Sequence, residues 1–234
     1  MTRETPSEKP LPRTITIDGP AASGKTTVGL MLSKKLGYLC LDTGIMYRAV
    51  ALDVLERGAD PQREDQVTQA AEELTIDVRD SSVTDGRQFD VLINGRDRTW
   101  DIRSPEVNAC VSEVSVFPGV RQAMTTQQRK IAERGRVVML GRDVGTVVLP
   151  DADFKIYLEA SLLVRATRRY NEEKNRGNTV TFDEVLASVR HRDEIDSGRK
   201  IAPLKPAADA LIIKTDDLNA EQVVDLIWEK MRDC

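Results

Sequence analysis

Apolar and polar residues alternate through Thr14-Ile-Thr-Ile-Asp18, and the apolar positions that follow, Val28, Leu30, Met31, Leu32 and Leu36, fall near helical spacing. The first pattern predicts a strand and the second a helix, with Gly37 placed where a helix C-cap belongs. Tyr38-Leu-Cys-Leu-Asp42 reads as a short buried strand. Thr43-Gly44 then opens a helix through Ile45, Met46, Ala49, Val50, Leu52 and Val54, which Gly58 stops. Residues 60 to 71 look helical. Leu74–Val78 and Phe89–Ile93 alternate as strands around an Asp85-Gly86 turn, and Asn94-Gly95 marks a further hairpin turn.

Ser104 reads as an N-cap with Pro105 at the first helical position, and a second helix follows Pro118 with Val120, Met124 and Ile131 facing inward. Arg136–Leu140 and Phe154–Leu158 are continuous apolar runs, the signature of strands covered on both faces. Residues 161 to 199 carry charges at helical spacing, broken near Arg176-Gly177-Asn178. Ala210–Ile213 reads as the last strand, and Asn219 with Gln222 resembles a capped start for a helix through Val223, Leu226, Ile227 and Met231. The fold class is α/β: about five buried strands alternate with helices in a doubly wound parallel sheet. The antiparallel pair interrupts that rhythm, so it is expected as an insertion on the rim.

The chain has 234 residues, enough for one α/β domain carrying an insertion. Its net charge of −4 supplies no global basic field to recruit nucleic acid or a membrane, so any anion site must be built from clustered arginines. Cys40, Cys110 and Cys234 lack metal-ligand spacing and are expected as reduced spectator thiols in a cytoplasmic setting. Residues 1–12, with Pro6, Pro10 and Pro12, contain no apolar run for a signal peptide or membrane span and are expected as a flexible lead-in.

Candidate chemistry begins where the first strand meets Gly19, Pro20, Ala21, Ala22, Ser23, Gly24, Lys25, Thr26 and Thr27, a GxxxxGK[ST] phosphate loop between strand and helix. There the loop N–H groups face phosphate, Lys25 reaches the β and γ phosphates, and the Thr26 hydroxyl holds Mg²⁺. The bland alternative is a glycine-rich turn before an ordinary helix. The motif names a ligand class but no reaction.

Phosphoryl transfer to a second anionic substrate calls for arginines at strand ends and in closing segments. Arg142, directly after Gly141 at a strand C-terminus, is placed best, and Arg48, Arg121, Arg192 and Arg199 join it as candidates. Arg165, Arg168 and Arg169 share a helix face that could close over the triphosphate as a lid, with a plain basic face as the alternative. His191 receives no catalytic role, and Trp100 and Trp228 are expected in packing.

Five motifs in order, Ile17–Thr26, Leu41-Asp-Thr-Gly-Ile-Met-Tyr-Arg-Ala49, Ile102-Arg-Ser-Pro-Glu-Val107, Gly141-Arg-Asp-Val-Gly-Thr-Val147 and Ile201-Ala-Pro-Leu204, make the chain resemble the bacterial cytidylate kinases from about Thr14 to Met231. The resemblance implies a P-loop nucleoside monophosphate kinase: a core (13–42, 118–160, 200–234), a monophosphate-binding region with the insertion (43–117) and a helical lid (161–199). It implies transfer of the γ-phosphoryl group of ATP, with Mg²⁺, to CMP or dCMP; no nucleic-acid or membrane partner is expected, and the chain is expected as a monomer. Carried onto this chain, the pattern puts Ser112, Arg121 and Asp143 at the cytosine, Arg48, Arg142 and Arg199 near the acceptor phosphate, and Arg192 with Asp196 at the ribose, with Thr43 also among the substrate-binding residues. Lys25, Arg142, Arg165 and Arg169 are the residues expected to act on the transferred group.

One departure stands out: many relatives carry an acid immediately before Gly-Arg-Asp, and this chain has Leu140. That leaves Thr26 and water as the expected Mg²⁺ ligands. A GTP-sensing switch is the rival from another class, but no DxxG follows the loop and no NKxD segment occurs. A kinase acting on UMP, AMP or another small phosphorylated acceptor is the rival within enzymes.

Overall fold

The computed structural model describes residues 10–199 and 201–233. Most of the lead-in expected over residues 1–12 and the Cys234 thiol lie outside them. In chain order the elements are β1 (Thr14–Asp18), α1 (Lys25–Leu36), β2 (Leu39–Asp42), α2 (Gly44–Glu56), α3 (Glu64–Glu73), β3 (Ile76–Asp80), β4 (Phe89–Ile93), β5 (Arg96–Asp97), α4 (Pro105–Val114), α5 (Pro118–Ala132), β6 (Val137–Gly141), β7 (Phe154–Glu159), α6 (Leu162–Asn175), α7 (Phe182–Gly198), β8 (Leu211–Lys214) and α8 (Ala220–Asp233). A 3₁₀ turn, Asp101–Arg103, precedes α4, and a π-helical turn, Val144–Val148, follows β6.

Five strands pair in the order β2-β6-β1-β7-β8, every pair parallel, while β3, β4 and β5 form a separate antiparallel sheet. Strand alternation sorts the central sheet's side chains onto two faces. Val138 and Leu140 of β6 join Ile15 and Ile17 of β1 in one core cluster with residues of α1 and α8. Val137 and Met139 join the other cluster, with residues of α2, α3, α4 and α5. Covering both faces in this way makes the sheet doubly wound, and it aligns the C-terminal ends of β1, β2 and β6 at one edge.

The ends of the elements follow local chemistry. Ser104 caps α4 by accepting from Val107 N, Ser161 caps α6 by accepting from Val164 N, and Thr181 with Glu184 forms a full capping box on α7. Asn219 and Gln222 exchange side-chain and backbone hydrogen bonds of 2.9 Å at the start of α8. The third helix begins at Glu64 rather than near residue 60, because Asp60 turns the chain by accepting from Gln62 N at 2.9 Å. The small antiparallel sheet is more than a rim attachment: Ile76, Val78, Phe89, Val91 and Ile93 are buried in the same cluster as α2 and α5. Gln127 of α5 ties it down, donating to Leu74 O at 2.7 Å and accepting from Ile76 N at 3.0 Å.

Leu140 is explained by its face of the sheet. Its side chain lies buried against α1, where a Cβ built on Gly29 would come within 2.5 Å of Leu140 Cδ2. Gly29→Ala is therefore expected to destabilise the fold by about 1–3 kcal/mol through overpacking, more than its gain in helix propensity. Urea unfolding of Gly29→Ala, Leu140→Ala and the double variant checks this. The double variant should recover part of the loss, whereas additive losses would show that the two sites do not touch.

Candidate active site

The phosphate loop connects β1 to α1 with Gly24 as N-cap, so no side chain caps the first turn of α1 and no acid lies in it. That leaves the helix N-terminus open to an external anion. Lys25 is buried, and its ammonium donates to Pro20 O at 2.6 Å and Ser23 Oγ at 3.4 Å. Burial, and next to it the charge of Arg142, holds Lys25 well below the usual lysine range. The Thr26 hydroxyl donates to Asp42 Oδ2 at 3.2 Å, while Asp42 Oδ1 accepts from Gly44 N at 3.0 Å. Thr27 is exposed one position further along α1.

Across from the loop, Asp196 of α7 gathers the arginines. Arg142 Nε donates to Asp196 Oδ2 at 2.9 Å, and Arg199 Nη2 lies 2.6 Å from Asp196 Oδ1. Burial alone would raise the Asp196 carboxyl, but Arg142, Arg199 and Arg192 outweigh it and hold the group below the ordinary range. Arg192 pays most for this crowding: burial, then Arg142, brings it down to about 10. Burial also lowers Arg48 and Arg199. Arg48 reaches Asn108 Oδ1 and Ile102 O across the α2–α4 contact. Thr43 closes the edge, its hydroxyl donating to Leu140 O at 2.8 Å. The Nε atoms of Arg121, Arg192 and Arg199 are buried without a hydrogen-bond partner among the described residues. An anion accepting from such guanidinium groups removes a cost of roughly 1–3 kcal/mol for each orphaned donor.

Arg121 of α5 and Asp143 form a second, buried pair, with Arg121 Nη2 2.5 Å from Asp143 Oδ2 and Arg121 Nη1 donating to Ser115 O at 3.2 Å. Tyr47 lies under the guanidinium, its ring centroid 5.5 Å away. Ser115 also accepts from Arg199 Nη2 at 3.4 Å, so it joins this pair to the arginine cluster. Ser112, one turn earlier on α4, is half-buried, and its carbonyl accepts the Ser115 hydroxyl.

The three arginines of α6 divide. Arg165 is buried, forms a bidentate pair with Asp193 and donates to Ala21 O of the phosphate loop at 3.2 Å. Arg168 binds the carbonyl and hydroxyl oxygens of Thr215 beyond β8. Arg169 is exposed and paired with Glu172 and Glu173 on its own helix. His191 is solvent-exposed beside Glu194. Cys40 and Cys110 are free and buried, and burial pushes the Cys40 thiol up to about 12, so it stays protonated.

Sequence patterning missed Asp18, Tyr47, Ser115 and Asp193. Tyr47 had a signal in its place directly before Arg48, whereas Ser115 and Asp193 act through backbone or partner contacts that carry no pattern.

A family model described as cytidylate kinase matches residues 15–233. A cytidylate kinase of Chloroflexus aggregans is 49% identical over 220 residues, covering 94% of each chain. One from Caldanaerobacter subterraneus subsp. tengcongensis is 46% identical, covering 93% of this chain and 94% of that one. In shape, the crystal structure of an uncharacterized protein from Eubacterium ventriosum matches with a TM-score of 0.53 at 12% identity, over 94% of this chain and 99% of the other, a likeness of fold alone. The family model spans nearly the whole described chain and these relatives are almost half identical to it end to end, so this chain belongs to the cytidylate kinase family.

Proposed function

We infer that this protein transfers the γ-phosphoryl group of ATP to CMP or dCMP, giving ADP and CDP or dCDP in pyrimidine nucleotide metabolism. The observation that carries the reading is Arg142. It acts on Lys25 electrostatically and bonds Asp196 directly, so the triphosphate lysine and the acceptor arginines belong to one charged unit. Two phosphate groups brought together there meet the requirement of in-line transfer: close placement with their negative charge neutralised.

In this reading the phosphate loop holds ATP, while Arg48, Arg142 and Arg199 take the acceptor phosphate with Thr43 beside them. Arg192 and Asp196 face the ribose. Asp143 accepts from the exocyclic amine of cytosine and Arg121 donates to O2 and N3, with Ser112 alongside; uracil offers the wrong edge to this pair. Arg165 and Arg169 serve the transferred group from α6.

Among the described residues no three His, Cys, Asp or Glu side chains gather to hold a metal by themselves. The oxygens beside the loop, Thr26 Oγ1 and Asp42 Oδ2, are hard donors of the kind that hold Mg²⁺ when phosphates and water complete its shell. Mg²⁺ held by these residues would supply charge neutralisation to the bound phosphates.

We assign residues 43–117 as the monophosphate-binding region, 161–199 as the lid, and 13–42, 118–160 and 200–234 as the core. The protein then acts as a cytoplasmic monomer on small molecules, without nucleic acid or membrane. No helix among the described residues is long and apolar enough to cross a membrane. Closure of the lid predicts that ATP analogue and CMP together protect residues 161–199 from limited proteolysis; cleavage there at an unchanged rate would count against a lid.

A coupled assay of ADP release with CMP, dCMP, UMP and AMP tests the function. Turnover with CMP and dCMP far above the other two is the expected result. Stoichiometric GTP binding with no ATP-dependent phosphorylation of CMP would replace this reading with that of a nucleotide switch.

A further inference from the structure

Asp18 takes no part in the chemistry assigned above, yet it is buried at the end of β1, directly before the phosphate loop. Both of its carboxylate oxygens are occupied: Oδ1 accepts from Val144 N at 2.9 Å and Oδ2 from Gly145 N at 2.7 Å. These N–H groups open the π-helical turn that follows Arg142 and Asp143. The β1–β6 ladder ends at the pair Asp18 and Gly141, so beyond that point the carboxylate, rather than strand pairing, attaches the next residues to β1. The approach is close. A Cβ on Gly145 would stand 2.9 Å from Thr16 Oγ1 and 3.3 Å from Asp18 Oδ2.

We propose that Asp18 is a positioning residue that fixes the acceptor end of the site relative to the phosphate loop, by clamping the turn that carries Arg142 and Asp143. From the other side Thr43 holds the same segment, its N–H and hydroxyl both donating to Leu140 O. A single acid thus joins the start of the ATP loop to residues that face the cytosine and its phosphate. A neutral amide cannot replace it in full, because an asparagine offers one acceptor oxygen to two N–H groups. Keeping a carboxylate there is costly: burial first, opposed by the two N–H groups and augmented by nearby Asp143, pushes Asp18 up to about 6.

The inference rests on the assignment of residues 142 and 143 to the CMP site, and steady-state kinetics of Asp18→Asn with CMP, UMP and ATP varied in turn tests it. Displacing the turn should raise KM for CMP roughly tenfold and shrink the preference for CMP over UMP by a similar factor, with KM for ATP unchanged. A merely structural role would reduce the amount of folded enzyme, lowering kcat while leaving every KM as in the wild type. Gly145→Ala, which pushes on the same contact from the turn, should give the same split and decides the matter if Asp18→Asn does not fold. An unchanged KM for CMP in the folded variant would overturn the proposal. A wild-type enzyme inactive on CMP would instead overturn the functional assignment beneath it.

Discussion

Replacing Lys25 with alanine should lower kcat on the order of 10²–10³-fold while leaving KM for CMP little changed, because in the proposed reading its ammonium acts on charge that moves during transfer. The fold should survive the change. Lys25 is a desolvated cation held well below its ordinary pKa by burial and by Arg142, so its removal relieves a destabilising arrangement rather than breaking a stabilising one. Thermal melting of the variant should match or exceed the wild type. A variant with nearly full kcat would mean that the lysine only caps its own loop, as its bonds to Pro20 and Ser23 permit.

Arg121→Ala should raise KM for CMP roughly 10- to 100-fold, the equivalent of one charged hydrogen bond, with a much smaller effect on UMP. The asymmetry follows from the pair. Arg121 donates to Asp143 and, in the assigned pose, to cytosine, so its loss both removes a base contact and frees Asp143 from its partner. Asp143 is also buried, and stranding it should cost about 3–5 kcal/mol of stability, measurable by urea unfolding. The KM ratio between CMP and UMP is therefore the diagnostic quantity, since partial unfolding lowers activity on both equally. Equal losses for the two nucleotides would contradict the base contact.

The elements legible in the sequence were those specified by neighbours in the chain. Ser104 and Pro105 announce α4, Phe89–Ile93 is the strand its alternation predicts, and the apolar run read at 136–140 is a strand buried on both faces one residue further on, at Val137–Gly141. The π-helical turn after Asp143 was not legible because its first two N–H groups bond to Asp18, more than a hundred residues earlier. The rim position expected for the antiparallel sheet ignored how much apolar surface that sheet could share with α2 and α5.

The candidate site divides in the same way. The GxxxxGK[ST] motif is contiguous, so its place between β1 and α1 could be read directly. The arginines could be named as types beside strand ends, but which carboxylate each faces depends on the crossing of α7 over the sheet edge, which puts Asp196 between Arg142 and Arg199 and Asp193 against Arg165. Leu140 looked like a missing functional acid in the linear sequence. Its place in the fold is against Gly29 of α1, where its packing is explained by the core.

In the proposed reading one edge of the sheet holds two nucleotides end to end, a triphosphate on the loop and a pyrimidine monophosphate among the arginines. A crystal structure of the protein with CMP and a non-hydrolysable ATP analogue should then show the CMP phosphate on Arg48, Arg142 and Arg199, its base between Arg121 and Asp143, and the analogue's terminal phosphate at Lys25 facing it. CMP bound away from those arginines, or with its phosphate turned from Lys25, would contradict it.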